Sequence, residues 1–141
     1  MAYEDLFWSA TGTLLVILCA FLFGLVLMEL ARCYHVRVAR QRRQAEQKAG
    51  ILLKQWLSPP QLAQYERDGT FDVTGSDSGK RYRIRCERQM NVDEYDERDR
   101  RIAVWCFGPE GCLPLGDFIL AQKLALENDE QATLVVANRA N

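Results

Sequence analysis

From Leu6 to Met28 the chain reads LFWSATGTLLVILCAFLFGLVLM, and none of these residues carries a charge. Built as a helix, the run is about 34 Å long, and roughly 20 apolar residues suffice to cross the hydrocarbon of a bilayer. A helix on the surface of a soluble domain is apolar along one stripe only, so uniform apolarity over this length predicts a transmembrane helix. A cleaved signal peptide fits less well. The N-terminal flank holds Glu4 and Asp5 instead of basic residues, and the continuation MELARCY offers no small-residue cleavage site. Tyr3, Phe7 and Trp8 stand at one edge of the span and Tyr34 at the other, where aromatic rings favour the headgroup layer.

Charge divides the chain into three parts and sets the expected direction of the span. Residues 1–30 carry net −3, residues 31–57 net +6 and residues 58–141 net −4, which sum to the overall −1. The basic block is led by Arg32, Arg37, Arg40, Arg42 and Arg43. Positive charge is retained on the cytoplasmic side, so the N-terminus is expected outside and the bulk of the chain in the cytoplasm, at the cell inner (plasma) membrane. The same arginines are candidates for pairing with anionic lipid headgroups. The plainer alternative is that they act as topology determinants only. Five cysteines, an odd number, suit a reducing compartment.

The expected organisation is a tail and anchor over 1–30, a basic helical connector over 31–57, and a cytoplasmic α+β domain over 58–141. The connector has no proline and a single glycine, Gly50, where a break in the helix is expected if one occurs. Ile51, Leu52, Leu53, Trp56 and Leu57 form an apolar cluster that packs onto the domain or lies in the membrane surface. Within SPPQLAQYERDG, Ser58 is placed to cap a helix, Pro59 to occupy its first turn, Gln61 to complete a capping box and Gly69 to stop it. TFDVTG and RYRIRC alternate apolar and polar residues, as half-buried strands do, and MNVDEY is a weaker third strand. RIAVWCF is apolar on both faces and reads as an interior fourth strand. Asp117 is placed to cap a helix over FILAQKLALEN, and DEQATLVVAN makes a short last helix with acidic residues at its positive end. The fold class predicted is a four-stranded antiparallel sheet covered on one face by helices.

The runs YERDGTFDVTGSDSGKRYRIR and WCFGPEGCLPLGDFILAQKLALENDEQATLVVAN carry a pattern of their own. It comprises a G-x-RYRI strand, C-x-x-P, LP-x-x-D, LAQK-x-x-LE-x-DE and a closing AN. In this it resembles a small domain of bacterial proteins to which no activity is attached. The resemblance covers roughly residues 58–139 and implies a domain boundary but no chemistry.

Arg81, Arg83 and Arg85 share one sheet face and are the candidate ligand or partner site. Against a phosphate- or acid-binding role stands simple cross-strand pairing with Asp72, Asp93 or Glu94. Tyr82 points to the other face, and the net −4 of the domain disfavours nucleic acid. Cys86, Cys106 and Cys112 have neither zinc-ligand spacing nor a histidine beside them in the domain, and Cys86 and Cys106, each alternating with apolar residues, read as small buried hydrophobes. The acidic run DEYDERD lacks the glycine and oxygen spacing of a calcium loop. His35, beside the arginines, is the sole histidine, and no nucleophile–base pair or glycine-rich phosphate loop is present. No metal, cofactor or catalytic residue is therefore expected. Ala20 and Gly24, four apart in the span, are a weak signal for a homodimer. The function expected is that of a membrane-tethered adaptor or accessory subunit with a protein partner, the alternative being a sensor of an anionic ligand or nucleic acid on the arginine face.

Overall fold

The computed structural model describes residues 2–140, with side chains from Leu14 onward, so Tyr3, Phe7 and Trp8 lie outside the described side chains. The chain forms two compact units, residues 1–42 and 43–141. Helix α1 (Ala2–Trp56) belongs to both. In the first unit, thirteen large apolar side chains between Leu14 and Leu30 are exposed, from Leu14 at 72% to Leu25 at 40%. Taking about half the transfer free energy of each, exposure in water would cost on the order of 10–20 kcal/mol. The helix contains an 18-residue window of mean hydropathy 2.7, none of it buried, and is long and apolar enough to cross a membrane.

In the second unit the end of α1 contributes to a packed core. Ala49, Leu53 and Leu57 are buried, whereas Ile51, Leu52 and Trp56 remain exposed, so the apolar cluster of the connector divides between core and surface. The helix does not break at Gly50. The buried face on either side of that glycine holds it in register, and α1 ends where Ser58 precedes Pro59, a position at which helical backbone is disfavoured. Helix α2 (Pro59–Asp68) then starts, with Gln61 Oε1 accepting the Ser58 N–H at 3.0 Å. It stops at Gly69, whose φ of 67° is left-handed and whose N–H reaches the Tyr65 carbonyl.

Five strands follow the meander order β1-β2-β3-β4-β5, all antiparallel: β1 (Thr70–Thr74), β2 (Arg81–Arg85), β3 (Val92–Tyr95), β4 (Arg101–Cys106) and β5 (Asn138–Ala140). The expected four strands are thus corrected to five. Strand β5 is three polar or small residues long and joins β4 through backbone pairing of Val104 with Ala140, so it has no hydrophobic alternation to betray it. One face of the sheet buries Phe71, Val73, Tyr82, Ile84, Val92 and Ala103 beneath Ile119, Leu120 and Leu126 of helix α3 (Leu115–Asn128), Leu53 of α1 and Leu57 just beyond its end.

Helix α3 begins two residues before the expected Asp117 cap. Its first N–H, that of Leu115, is accepted by Glu46 Oε2 of α1 at 2.8 Å, so the cap comes from a distant part of the chain. Arg88 Nη2 donates to the adjoining Leu113 carbonyl at 2.7 Å and lies 3.5 Å from Glu46. Gly116 lets α3 touch α1 directly, since a Cβ there would come within 2.5 Å of the Ala49 carbonyl. Asn91 and Gln122, both fully buried, exchange amide hydrogen bonds of 2.8 and 2.9 Å. Their remaining N–H groups reach the carbonyls of Arg85 and Phe107. Helix α4 (Glu130–Val136) follows and leads into β5.

Candidate functional site

Arg81, Arg83 and Arg85 occupy alternate positions of β2 opposite the buried Tyr82 and Ile84, so all three face away from the core. Asp72, directly across from Arg83 on β1, accepts from Arg83 Nε at 2.7 Å and Nη2 at 3.1 Å, and from Arg81 Nη1 at 3.3 Å. Burial opposes ionisation of Asp72, but the hydrogen bonds and charges of Arg83 and Arg81 outweigh it and hold the carboxyl below its ordinary range. On the other side Asp93 of β3 accepts from Arg85 Nη1 at 2.5 Å and lies 3.6 Å from Arg101 Nη1. Tyr95 lies beneath the guanidinium groups of Arg81 and Arg83, at 4.5 and 5.2 Å from its ring centre. Arg85 also donates to the Met90 carbonyl. From the flanking turns, Asp99 pairs with Arg81, and Glu87 stands 3.8 Å from Arg85. Each of the three candidate arginines therefore has a carboxylate beside it. Glu94 does not join them. It faces the core side, where it accepts from Lys80 Nζ at 2.6 Å and Trp105 Nε1 at 2.8 Å.

A second polar constellation, not singled out from the sequence, centres on Glu130. This buried carboxylate accepts from Tyr82 Oη at 2.6 Å, Ser78 Oγ at 2.5 Å, and the N–H groups of Ser78 and Asp77 at 2.7 and 2.9 Å. Ser76 Oγ in turn accepts the Glu130 N–H at 3.1 Å. Burial raises the Tyr82 phenol, and the bond to Glu130 raises it further. For Glu130 itself burial opposes ionisation, but the donors from Ser78, Tyr82 and Asp77 prevail and keep the carboxyl below its usual value. Beside it an open groove of about 450 Å³ is lined by Ser78, Lys80, Tyr82, Leu134 and Val135. Both Glu130 oxygens are occupied by donors, so the group pins the β1–β2 turn to α4 and is not free to act as a base. The sequence signal for it was an acid at a helix start, which is too common to single out one residue.

On α1, Arg32 pairs with Glu29 at 3.0 Å. Arg37, Arg40, Arg42 and Arg43 are exposed and have no ion-pair partner among the described residues. At 100° per residue Arg32, Arg37, Arg40 and Arg43 share a sector of about 140° and Arg42 lies about 80° outside it, so the five form a broad partial collar. Ala20 and Gly24 are exposed in the same helix. Among the described residues no three metal-ligating side chains come together, and all five cysteines are unpaired. Burial raises the Cys86 thiol, which is the inert direction for a cysteine.

Comparison with known protein families, with curated proteins and with solved structures returns no match. The class is therefore defined by the chain alone: a small α+β unit carried on a long apolar helix.

Proposed function

We propose that this chain is a single-pass membrane protein that holds a binding module at the cytoplasmic face of the inner (plasma) membrane, with its N-terminus outside. It acts as an adaptor or accessory subunit for a protein partner. The observation that carries the reading is the succession along α1: apolar surface from Leu14 to Leu30, the arginine collar from Arg32 to Arg43, then Ala49 and Leu53 built into the core of the domain. A helix of this kind holds its cargo at the bilayer, and the arginines suit the anionic leaflet. The engaged state of the Asp72, Glu94 and Glu130 carboxylates supports binding over catalysis. Two measurements test the tether. The chain should resist alkaline carbonate extraction, and exposed Cys112 should react with a membrane-impermeant maleimide only after the cytoplasmic side is opened. Labelling of Cys112 in intact cells would reverse the orientation.

The partner role is tested by crosslinking at native expression followed by mild solubilisation, which should recover a stoichiometric second protein. Recovery of this chain alone refutes it. The alternative, a small anionic ligand or nucleic acid on Arg81, Arg83 and Arg85, needs the middle of the row, where Asp72 already holds Arg83 through two hydrogen bonds. Unchanged thermal stability across a nucleotide panel would remove it.

A further inference from the structure

We infer that the open face of the sheet is a docking surface for an acidic, extended protein segment, whose carboxylates meet Arg81, Arg85 and Arg101. The inference rests on the adaptor reading and names the chemistry of the partner. Four guanidinium groups lie on this face, yet only two acids belong to the strands themselves: Asp72 and Asp93, at 19% and 5% side-chain exposure. The other two acids, Asp99 and Glu87, come from turns at the rim and are 76% and 64% exposed, so water screens them heavily. The face proper is therefore positive by two charges, within a domain of net −4. An incoming carboxylate can take the places of the rim acids without disturbing the inner pairs.

The pairing of Arg101 is also incomplete. It is 57% exposed, makes no side-chain hydrogen bond among the described residues, and reaches Asp93 Oδ1 only at 3.6 Å. That oxygen is buried and has no hydrogen-bond partner. Arg101 thus keeps a full set of donors for a ligand. Along β2 the arginines repeat every second residue, a spacing of about 6.6 Å, which is also the spacing of alternate side chains on an extended segment.

Two other classes of partner fit less well. A membrane-binding face joins charge to inserting apolar groups, but here the Tyr95 ring is covered by Arg81 and Arg83, Val104 is half-buried, and Ile102 at the rim is exposed only to 41%. A nucleic acid would bring its phosphates into the field of a net acidic domain.

The test uses the full chain in zwitterionic nanodiscs and a short fluorescein-labelled peptide of alternating Glu and Thr, followed by anisotropy. Saturable binding is expected, weakened roughly three- to fivefold by Arg101→Gln and abolished as salt rises to about 0.5 M. Arg139→Gln, on the opposite face over Trp105, should leave it unchanged. Arg101→Gln should also leave the melting temperature in place, which separates a lost contact from a lost fold. The inference is overturned if a control peptide of alternating Gln and Thr binds equally well or if Arg101→Gln has no effect. It is likewise overturned if the chain ignores the peptide and instead takes up phosphatidylglycerol vesicles or an oligothymidine. Any of these failures leaves carbonate resistance and Cys112 labelling untouched, so the tether stands or falls separately.

Discussion

Replacing Glu130 by Ala and by Gln should give two well-separated losses of stability. Alanine removes the acceptor for all four donors. The Asp77 and Ser78 N–H groups lie in an exposed turn and can turn to water, but Tyr82 is fully buried. Its stranded hydroxyl costs about 1–3 kcal/mol, and the lost charge-assisted bonds bring the total to roughly 3 kcal/mol. Glutamine retains most of the arrangement. The two N–H donors converge on one carboxylate oxygen, Oε2, where the glutamine oxygen can sit. The Ser78 and Tyr82 hydroxyls converge on the other, Oε1, and hydroxyls can rotate to accept from an amide. A loss of about 1 kcal/mol is expected. Guanidinium titration in non-ionic detergent, followed by tryptophan fluorescence, reads both values. The pH dependence adds a second check. The Glu130 carboxyl is depressed in the folded state, so its contribution is complete above the unfolded value of about 4.3 and is lost as pH falls through the folded value. Glu130→Gln should flatten that acid limb, leaving what Asp72 and Asp96, depressed in the same sense, supply. Equal losses for the two variants, or an alanine loss under about 1 kcal/mol, would refute the assignment of Glu130 as the pin of the turn.

Gly116→Ala forces a Cβ against the Ala49 carbonyl and should cost about 1–3 kcal/mol in the same titration, with the α1–α3 contact as the point of strain. Gln122→Leu strands the Asn91 amide and the Phe107 carbonyl, and a loss of about 2–4 kcal/mol is expected by the same measurement. Ile17→Arg combined with Leu22→Arg places two charges within the apolar run, at about 2.5–3.5 kcal/mol each, and should move the chain into the carbonate-soluble fraction.

What could be read from the sequence was whatever short-range physics determines. The Ser58–Pro59–Gln61 start and Gly69 stop of α2 involve neighbours only, and the alternation in β1 and β2 follows from having one buried face. The charge pattern on β2 was visible too, and with it Asp72, Asp93 and Glu94 as possible cross-strand partners, of which the first two pair with the row and Glu94 does not. What escaped depends on contacts between residues remote in sequence. The cap of α3 comes from Glu46, 69 residues away, and was misassigned to Asp117 because a local acid is the ordinary solution. Tyr82 and Glu130 are 48 apart, and nothing local marks either as a member of a pair. Strand β5 is held by backbone pairing and by Arg139 over the Trp105 ring, neither of which leaves an apolar alternation in the sequence. The arginine face was legible as a row, but the share of Asp93 between Arg85 and Arg101 depends on the register of β3 against both neighbours, including the shift at Glu94 and Tyr95.

The amide pair between Asn91 and Gln122 bears on how the domain reaches one packing and not another. Leucines and isoleucines are tolerant partners, and α3 displaced by one turn, about 5.4 Å, would still find oily contacts against the sheet. It would not find a second amide. Four groups that now satisfy one another and two nearby carbonyls would sit dry and unmatched, so the slipped arrangement is rejected on polar grounds although its grease is acceptable. Two uncharged side chains thereby act as a ratchet tooth for the whole helix.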